Sequence, residues 1–195
     1  MFGVQCTPIF FGEIMVFGWF KKKEEEPHFD PVDIKISDLR VGFLVDYQFK
    51  TYEVKDEFEY DWGDDHFTYE FKLISSDNDV LFLHIDNDEE LILSVSKPVP
   101  VGKLTPDIKH YIMANDSAPS KLSLDDINYY QDSEDPGYYR NTKDETFDEF
   151  ISWTFLDDSG KKFIEIEQWG EKEFEASVGE YVSEFDFSQI LPGKE

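Results

Sequence analysis

From residue 43 onward, apolar and polar side chains alternate along most of the chain. Phe43, Val45 and Tyr47 alternate with Leu44 and Asp46; Phe58, Tyr60 and Trp62 alternate with Glu57, Glu59 and Asp61. Phe67, Tyr69, Phe71 and Leu73 follow, then Leu81, Leu83 and Ile85, then Leu91, Leu93 and Val95. Successive side chains of a strand point to opposite faces, so this period of two predicts strands with one apolar and one wet face. Turn-forming residues separate the runs at Trp62–Asp65, Ser75–Asp79 and Asp86–Glu90, which predicts short antiparallel hairpins. About five strands in some 60 residues suggest a small barrel or sandwich.

Residues 98–122 break the pattern with Pro98, Pro100, Gly102, Pro106 and Pro119. A short helix is expected between Thr105 and Asn115, capped by Thr105, with Pro106 in its first turn and Ile108, Ile112 and Tyr111 on its apolar face. Alternation then resumes. Tyr129-Tyr130 and Tyr138-Tyr139 flank an expected Asp135–Gly137 turn. Ile151, Trp153 and Phe155 lead to a turn at Asp157–Gly160. Phe163, Ile164 and Ile166 precede Trp169-Gly170, and Phe174, Ala176 and Val178 precede Phe185 and Phe187.

The halves align weakly. Leu83 and Ile85 match Ile164 and Ile166, and Val95 and Val99 match Val178 and Val182, a period of roughly 80 residues, longer than a solenoid repeat. The expected fold is therefore all-β and mainly antiparallel: two similar small barrel or sandwich units from a duplication, joined by a linker with one short helix. A single larger sandwich is the alternative. The expected boundaries are a leader or tail at 1–32, a first β unit at 33–99, the linker at 100–122 and a second β unit at 123–192.

Composition narrows the function classes. The chain has 195 residues, 44 Asp and Glu against 18 Lys and Arg, and a net charge of −26. Such a field repels phosphate backbones, so no nucleic-acid partner is expected; basic proteins, polyamines and divalent metals stay open. The aromatic fraction of 17% sets the chain apart from acidic disordered tails. Its one cysteine, Cys6, excludes an intrachain disulfide framework, and the cytoplasm is the expected location.

Residues 1–20 are apolar, but Lys21–Lys23 follow the apolar stretch instead of preceding it, unlike a signal peptide. Pro8, Gly12, Glu13 and Gly18 interrupt it, unlike a membrane span. Gly12-Glu13 is encodable as a ribosome-binding sequence upstream of Met15, so translation is expected to begin at Met15, with residues 1–14 not translated. The head that follows carries Phe17, Trp19 and Phe20 before three lysines, a pattern that allows peripheral membrane contact.

Catalytic signatures are not evident. His28, His66, His84 and His110 have no zinc-ligand spacing, and His84 is expected on the wet face of its strand. Asp77-Asn78-Asp79 and Asp86-Asn87-Asp88 lack the glycine and spacing of a calcium loop. No metal, cofactor or catalytic residue is expected. Trp62-Gly63 and Trp169-Gly170 each close an acidic, aromatic strand. A tryptophan there either anchors a partner or plugs a barrel end with its N–H bonded to a carbonyl.

Asp38–Gly42, Asp46-Tyr47, Thr51–Val54 and Glu59–Gly63, together with Ile151–Trp153, Glu167–Glu171, Glu173–Ser177 and Gly179, resemble the bacterial domain-of-unknown-function family 4178 over roughly residues 33–192. The resemblance brings no catalytic residue; its implied gene context is membrane or envelope stress and polyamine synthesis. The expected function is a non-enzymatic cytoplasmic interaction module with a protein partner. Its candidate interaction residues are Trp62, Gly63, Trp169, Gly170, Trp19 and Phe20. The alternative is an acidic binder of a small ligand or cation, polyamine or divalent metal, and an enzyme ranks third.

Overall fold

The computed structural model describes residues 34–105 and 107–193. The expected start at Met15, the Trp19–Phe20 head, His28 and Pro106 lie outside them.

Eleven strands form one antiparallel sheet. A first meander contains β1 (Leu44–Tyr47), β2 (Lys50–Asp61), β3 (Phe67–Ser75), β4 (Val80–Asp86) and β5 (Ile92–Pro98). The helix α1 (Ile108–Asn115) follows. A second meander contains β6 (Lys121–Leu124), β7 (Ile127–Asn141), β8 (Asp148–Asp157), β9 (Lys162–Trp169) and β10 (Glu173–Val182), and β11 (Phe187–Leu191) is the last strand among the described residues. The strand order is β11-β1-β2-β3-β4-β5-β10-β9-β8-β7-β6, with a further β2–β7 pairing. The expected mainly antiparallel β architecture with one short helix is present, but its strands belong to one continuous sheet. β11, expected to close the second unit, instead pairs with β1.

The β5–β10 and β2–β7 pairings close eight strands into a ring. β-Bulges make this possible. Val54 pairs with Leu73 and Asp56 with Lys72, which leaves Lys55 as an extra residue. One extra residue reverses the faces of everything after it. Tyr52 and Val54 thus join the apolar core, while Phe58 and Tyr60 turn to the opposite face. A second bulge leaves Asp132 extra between the Gln131–Phe155 and Ser133–Thr154 pairs of the long strand β7.

Two apolar clusters lie on the outer face of the ring. One joins Val54, Leu73, Leu83 and Val95 to Val45 of β1, Phe187 of β11 and the 3-10 turn Ile36–Asp38. The other joins Phe155, Ile164, Ile166 and Trp153 to Leu122 of β6, the 3-10 turn Val101–Lys103 and α1. Each cluster is therefore capped by its own flanking elements. The helix starts later than expected, with Asp107 at its N-cap position. Ile108 and Ile112 are buried as expected, whereas Tyr111 is exposed.

The expected Asp135–Gly137 turn is instead interior to β7. Pro136 pairs with Ile151 and Gly137 with Phe150. Thr142 N–H points to β2, donating to Glu57 O at 3.0 Å. By alternation the nitrogen of Pro136 also faces away from β8, past the end of the β2 ladder, so no ladder bond is lost there. Gly137 is needed for space: a Cβ would lie 3.0 Å from Phe150 Cε1 and 3.1 Å from Trp62 Cε3.

Across the β2–β7 seam, Arg140 Nε donates to Glu59 Oε2 at 2.6 Å, and a second guanidinium nitrogen pairs with the same carboxylate. The guanidinium also stacks over Phe147, 4.5 Å from its centroid. Glu59 is largely shielded, with 13% of its side chain exposed. Arg140→Ala is expected to lower stability by about 1–3 kcal/mol, because it leaves that carboxylate without its partner. A urea midpoint equal to that of the unmodified protein would show that the seam does not depend on this pair.

Candidate functional site

The inner face of the ring is polar and aromatic. Glu70 on β3, His84 on β4, Ser94 and Ser96 on β5, Ser152 on β8 and Glu165 on β9 line an internal cavity of ≈ 470 Å³. A second cavity of ≈ 620 Å³ lies behind it, bounded by Tyr60, Glu167, Phe174 and the Pro98–Gly102 segment. Glu70, Ser96 and Glu165 line both. They form the waist of a lumen with two mouths. Trp62, His66, Asp86 and Asp135 edge one mouth, and Lys109 edges the other. Both volumes fall in the range of small-molecule sites, ~300–1,000 Å³.

Aromatic rings form one wall. Tyr60 stacks on Trp62 with centroids 5.7 Å apart and meets Tyr139 edge-on at 5.0 Å. Phe150 touches Trp62 at 5.4 Å and stacks on Trp169 at 4.9 Å. Trp62 and Trp169, 107 positions apart in the chain by their numbering, are thus brought together through one ring. Gly63 and Gly170 follow them in left-handed turns, with φ of 84° and 56°, a conformation open to glycine at little cost. Trp62 Nε1 donates to Thr68 Oγ1 at 2.9 Å, a hydroxyl instead of the expected carbonyl. Trp169 Nε1 is buried without a hydrogen-bond partner.

Carboxylates enter the lumen from two strands, Glu70 from β3 and Glu165 and Glu167 from β9. Tyr60 OH donates to Glu70 Oε1 at 3.3 Å, and Ser152 Oγ donates to Glu165 Oε1 at 2.8 Å. Glu167 accepts no hydrogen bond and joins no ion pair among the described residues. All three glutamates are part-buried, and solvent reaches them through the lumen. Burial, reinforced by Glu165, pushes Glu70 up to about 8. Burial followed by the charges of Glu165, Glu70 and Glu175 holds Glu167 well above the usual carboxylate range. Burial also raises Glu165, against the pull of the Ser152 hydrogen bond.

His84 lies on the face opposite Leu83 and Ile85, as expected, but that face is the lumen. Burial pushes its imidazole down to about 4, so it is neutral at pH 7. At the first mouth His66 Nε2 lies 3.2 Å from Asp86 Oδ2.

Glu70, Glu165 and Glu167 were not singled out from sequence. Glutamates alternating with Ile164 and Ile166 read as an ordinary wet face. The non-core face of β5 carries Ser94 and Ser96, which are ordinary surface residues and gave no signal either. Among the described residues no group of three His, Cys, Asp or Glu side chains is placed to hold a metal ion. No helix there is long and apolar enough to cross a membrane.

No curated protein and no solved structure matches the chain. The family whose sequence model matches is described as "Domain of unknown function (DUF4178)", and the match spans residues 40–184, which contain both meanders in full and leave out β11. The chain belongs to the DUF4178 family.

Proposed function

We propose that this protein is a non-enzymatic binding module that holds a small organic cation inside its eight-stranded ring. One observation carries this reading: Glu70, Glu165 and Glu167 share a lumen in which no lysine or arginine among the described residues pairs with them. Buried like charges repel, and each stays ionised only when a positive group arrives. Tyr60, Tyr139 and the two tryptophans offer ring faces that attract ammonium groups. Ser152 hydrogen-bonds a carboxylate and no histidine, which fits a ligand-holding role better than that of an activated nucleophile.

The test is calorimetry of the purified chain with a panel of mono- and diamines. Saturable one-to-one binding is expected to persist at about 0.15 M salt, where surface attraction is screened beyond ~8 Å. Binding is expected to release protons, because an arriving cation lowers the carboxylate pKa values toward normal. Heats that vanish at that salt concentration would show loose surface attraction alone and end the proposal.

A second reading keeps a protein partner. Phe49 and Phe185 are 110% and 88% exposed. They lie at one end of the sheet, next to the Tyr47–Phe187 register pair of β1 and β11. An apolar partner surface docking there in the cytoplasm is expected to be lost in the Phe49→Ser, Phe185→Ser double variant. Co-purification from the native host, with that variant as the comparison, tests it. Recovery of the same partner by both forms would remove this reading.

We also propose that the two meanders descend from a duplication. The order of strands is the same in each, and each has a long second strand interrupted by a bulge. The aligned pairs Leu83–Ile85 and Ile164–Ile166 fall in the corresponding strands β4 and β9.

A further inference from the structure

Arg40 and Arg140 are the arginines of a chain with 44 Asp and Glu residues, yet only Arg140 is held in an ion pair. Arg40 follows the 3-10 turn Ile36–Asp38, whose Ile36 packs into the first apolar cluster. Its Nη1 donates to Leu39 O at 2.6 Å, and its side chain makes no other hydrogen bond or ion pair among the described residues. A guanidinium has five N–H donors, so most of those on Arg40 have no protein acceptor.

Arg40 and Ser37 edge a cavity of ≈ 500 Å³ over β2, β3 and β4, on the outer face of the ring. It shares no lining residue with the lumen. Phe71 and Ile85 line it and are buried in the first cluster. Phe67 and Tyr69 line it too, but are 40% and 39% exposed, so two aromatic rings are left open there. Glu57 enters from β2, in register with Phe71. Its half-buried carboxylate accepts no hydrogen bond and joins no ion pair among the described residues. Burial raises Glu57, against the pull of Arg40. Burial also raises the Tyr69 hydroxyl, and of the charges acting on it Glu57 raises it while Arg40 lowers it. An unpaired cation and an unpaired anion therefore share one cavity with an open aromatic ring between their fields. Asp65 and Asp88, both exposed, stand at its rim.

This lining selects against singly charged ligands. An anion would meet Arg40 but also three carboxylates, and a cation would meet the carboxylates but also an unneutralised guanidinium. A molecule with both charges a few bonds apart satisfies both, and its apolar part has the rings of Phe67 and Tyr69 to lie on. The volume falls in the range of small-molecule sites, ~300–1,000 Å³.

We infer that this outer cavity binds a free α-amino acid with an aromatic side chain, its carboxylate on Arg40, its ammonium group toward Glu57 and its ring against Phe67 and Tyr69. The site is separate from the lumen and does not rest on the cation-binding reading above.

The test compares L-phenylalanine with 3-phenylpropionate, which lacks the ammonium group, by calorimetry on the full chain at about 0.15 M salt. L-Phenylalanine is expected to bind about tenfold or more tightly, the effect of one additional charged hydrogen bond. Arg40→Gln is expected to weaken both ligands about tenfold or more, with an unchanged denaturant midpoint. Glu57→Gln is expected to weaken L-phenylalanine about tenfold and to leave 3-phenylpropionate as tight or tighter, a crossover that general damage to the fold does not produce. Glu70→Gln in the lumen and Asp158→Asn in the turn between β8 and β9 are the controls, each expected to leave L-phenylalanine binding within about threefold. Equal affinity for the two ligands would overturn the inference, as would L-phenylalanine binding unchanged in Arg40→Gln. Loss of that binding in Glu70→Gln instead would move the ligand to the lumen. No saturable binding of L-phenylalanine up to about 10 mM would overturn this site and leave the amine result in the lumen to be judged by itself.

Discussion

Raising the pH from about 6.5 to about 8.5 will lower the melting temperature of the native protein, and Glu70→Gln will remove much of that loss. Glu70 moves from 4.5 to about 8 on folding, so between those values the folded chain holds a proton that the unfolded chain has released. Stability rises with pH only where the unfolded state binds more protons; here the native state does, and the sign is reversed. The contribution is fully present below pH 4.5 and is lost as the pH climbs through about 8. Each pH unit in that interval is worth about 1.4 kcal/mol before water in the lumen is allowed for. The loss above pH 6.5 should therefore be about 1–2 kcal/mol, or about 2–8 °C for a chain of this size.

The groups facing Glu70 set the useful window. Glu165 and Glu167 on β9 act in the same direction, since both are raised. Tyr60 on β2 and Tyr139 on β7 are raised and stay neutral throughout. His84 on β4 acts oppositely: its folded value near 4 lies below 6.5, so it withdraws stability as the pH falls through that interval. The clean comparison is thus above pH 6.5. Glutamine keeps the shape and accepts the Tyr60 hydrogen bond without ionising. A slope in Glu70→Gln as steep as in the unmodified protein would place the titrating group elsewhere. A flat profile in both would mean that the lumen does not hold these protons.

Gly179→Ala is expected to destabilise the protein by about 3 kcal/mol, near the upper end for overpacking. Gly179 lies in the β5–β10 seam, in register with Ser96 on one side and Phe163 on the other. A Cβ there would sit 2.5 Å from Val95 O and 2.7 Å from Phe163 Cε1. Phe163 is a side chain and has some freedom to turn. Val95 O is backbone within a paired strand, and moving it means parting the seam. Because β5–β10 is one of the two joints that close the ring, the variant should also open the lumen. Denaturant unfolding measures the first effect, and amide exchange at β5 and β10 the second. An unchanged denaturant midpoint would show that the strands separate there without penalty, and the ring closure would then be looser than the register indicates.

Membership in DUF4178 supports the extent of the folded region and carries no activity with it. The aromatic half of the lumen was partly legible: Trp62-Gly63 and Trp169-Gly170 stood out because each closes a strand with glycine. Their convergence was not legible, since it runs through Phe150, a residue with no distinguishing local pattern. Trp19 and Phe20 lie outside the described residues.

Local alternation was enough to determine that the chain is made of antiparallel hairpins, where most of the turns fall and that Ile108 and Ile112 face a core. These are near-neighbour effects: the period of two and the turn chemistry act over a few residues. Asp135-Pro136-Gly137 shows the limit of that reasoning, because turn-forming residues persist inside β7 where one edge lacks a partner and two rings press on Gly137. Tertiary structure alone decided which wet faces meet water. Glu70, His84, Glu165 and Glu167 occupy ordinary polar positions in their strands, and only the β2–β7 and β5–β10 pairings fold those positions inward. The bulges at Lys55 and Asp132 complete the change by reversing the faces of the two longest strands. An open sheet would leave these carboxylates hydrated and unremarkable. Closure turns them toward a shared lumen, where burial raises their affinity for protons.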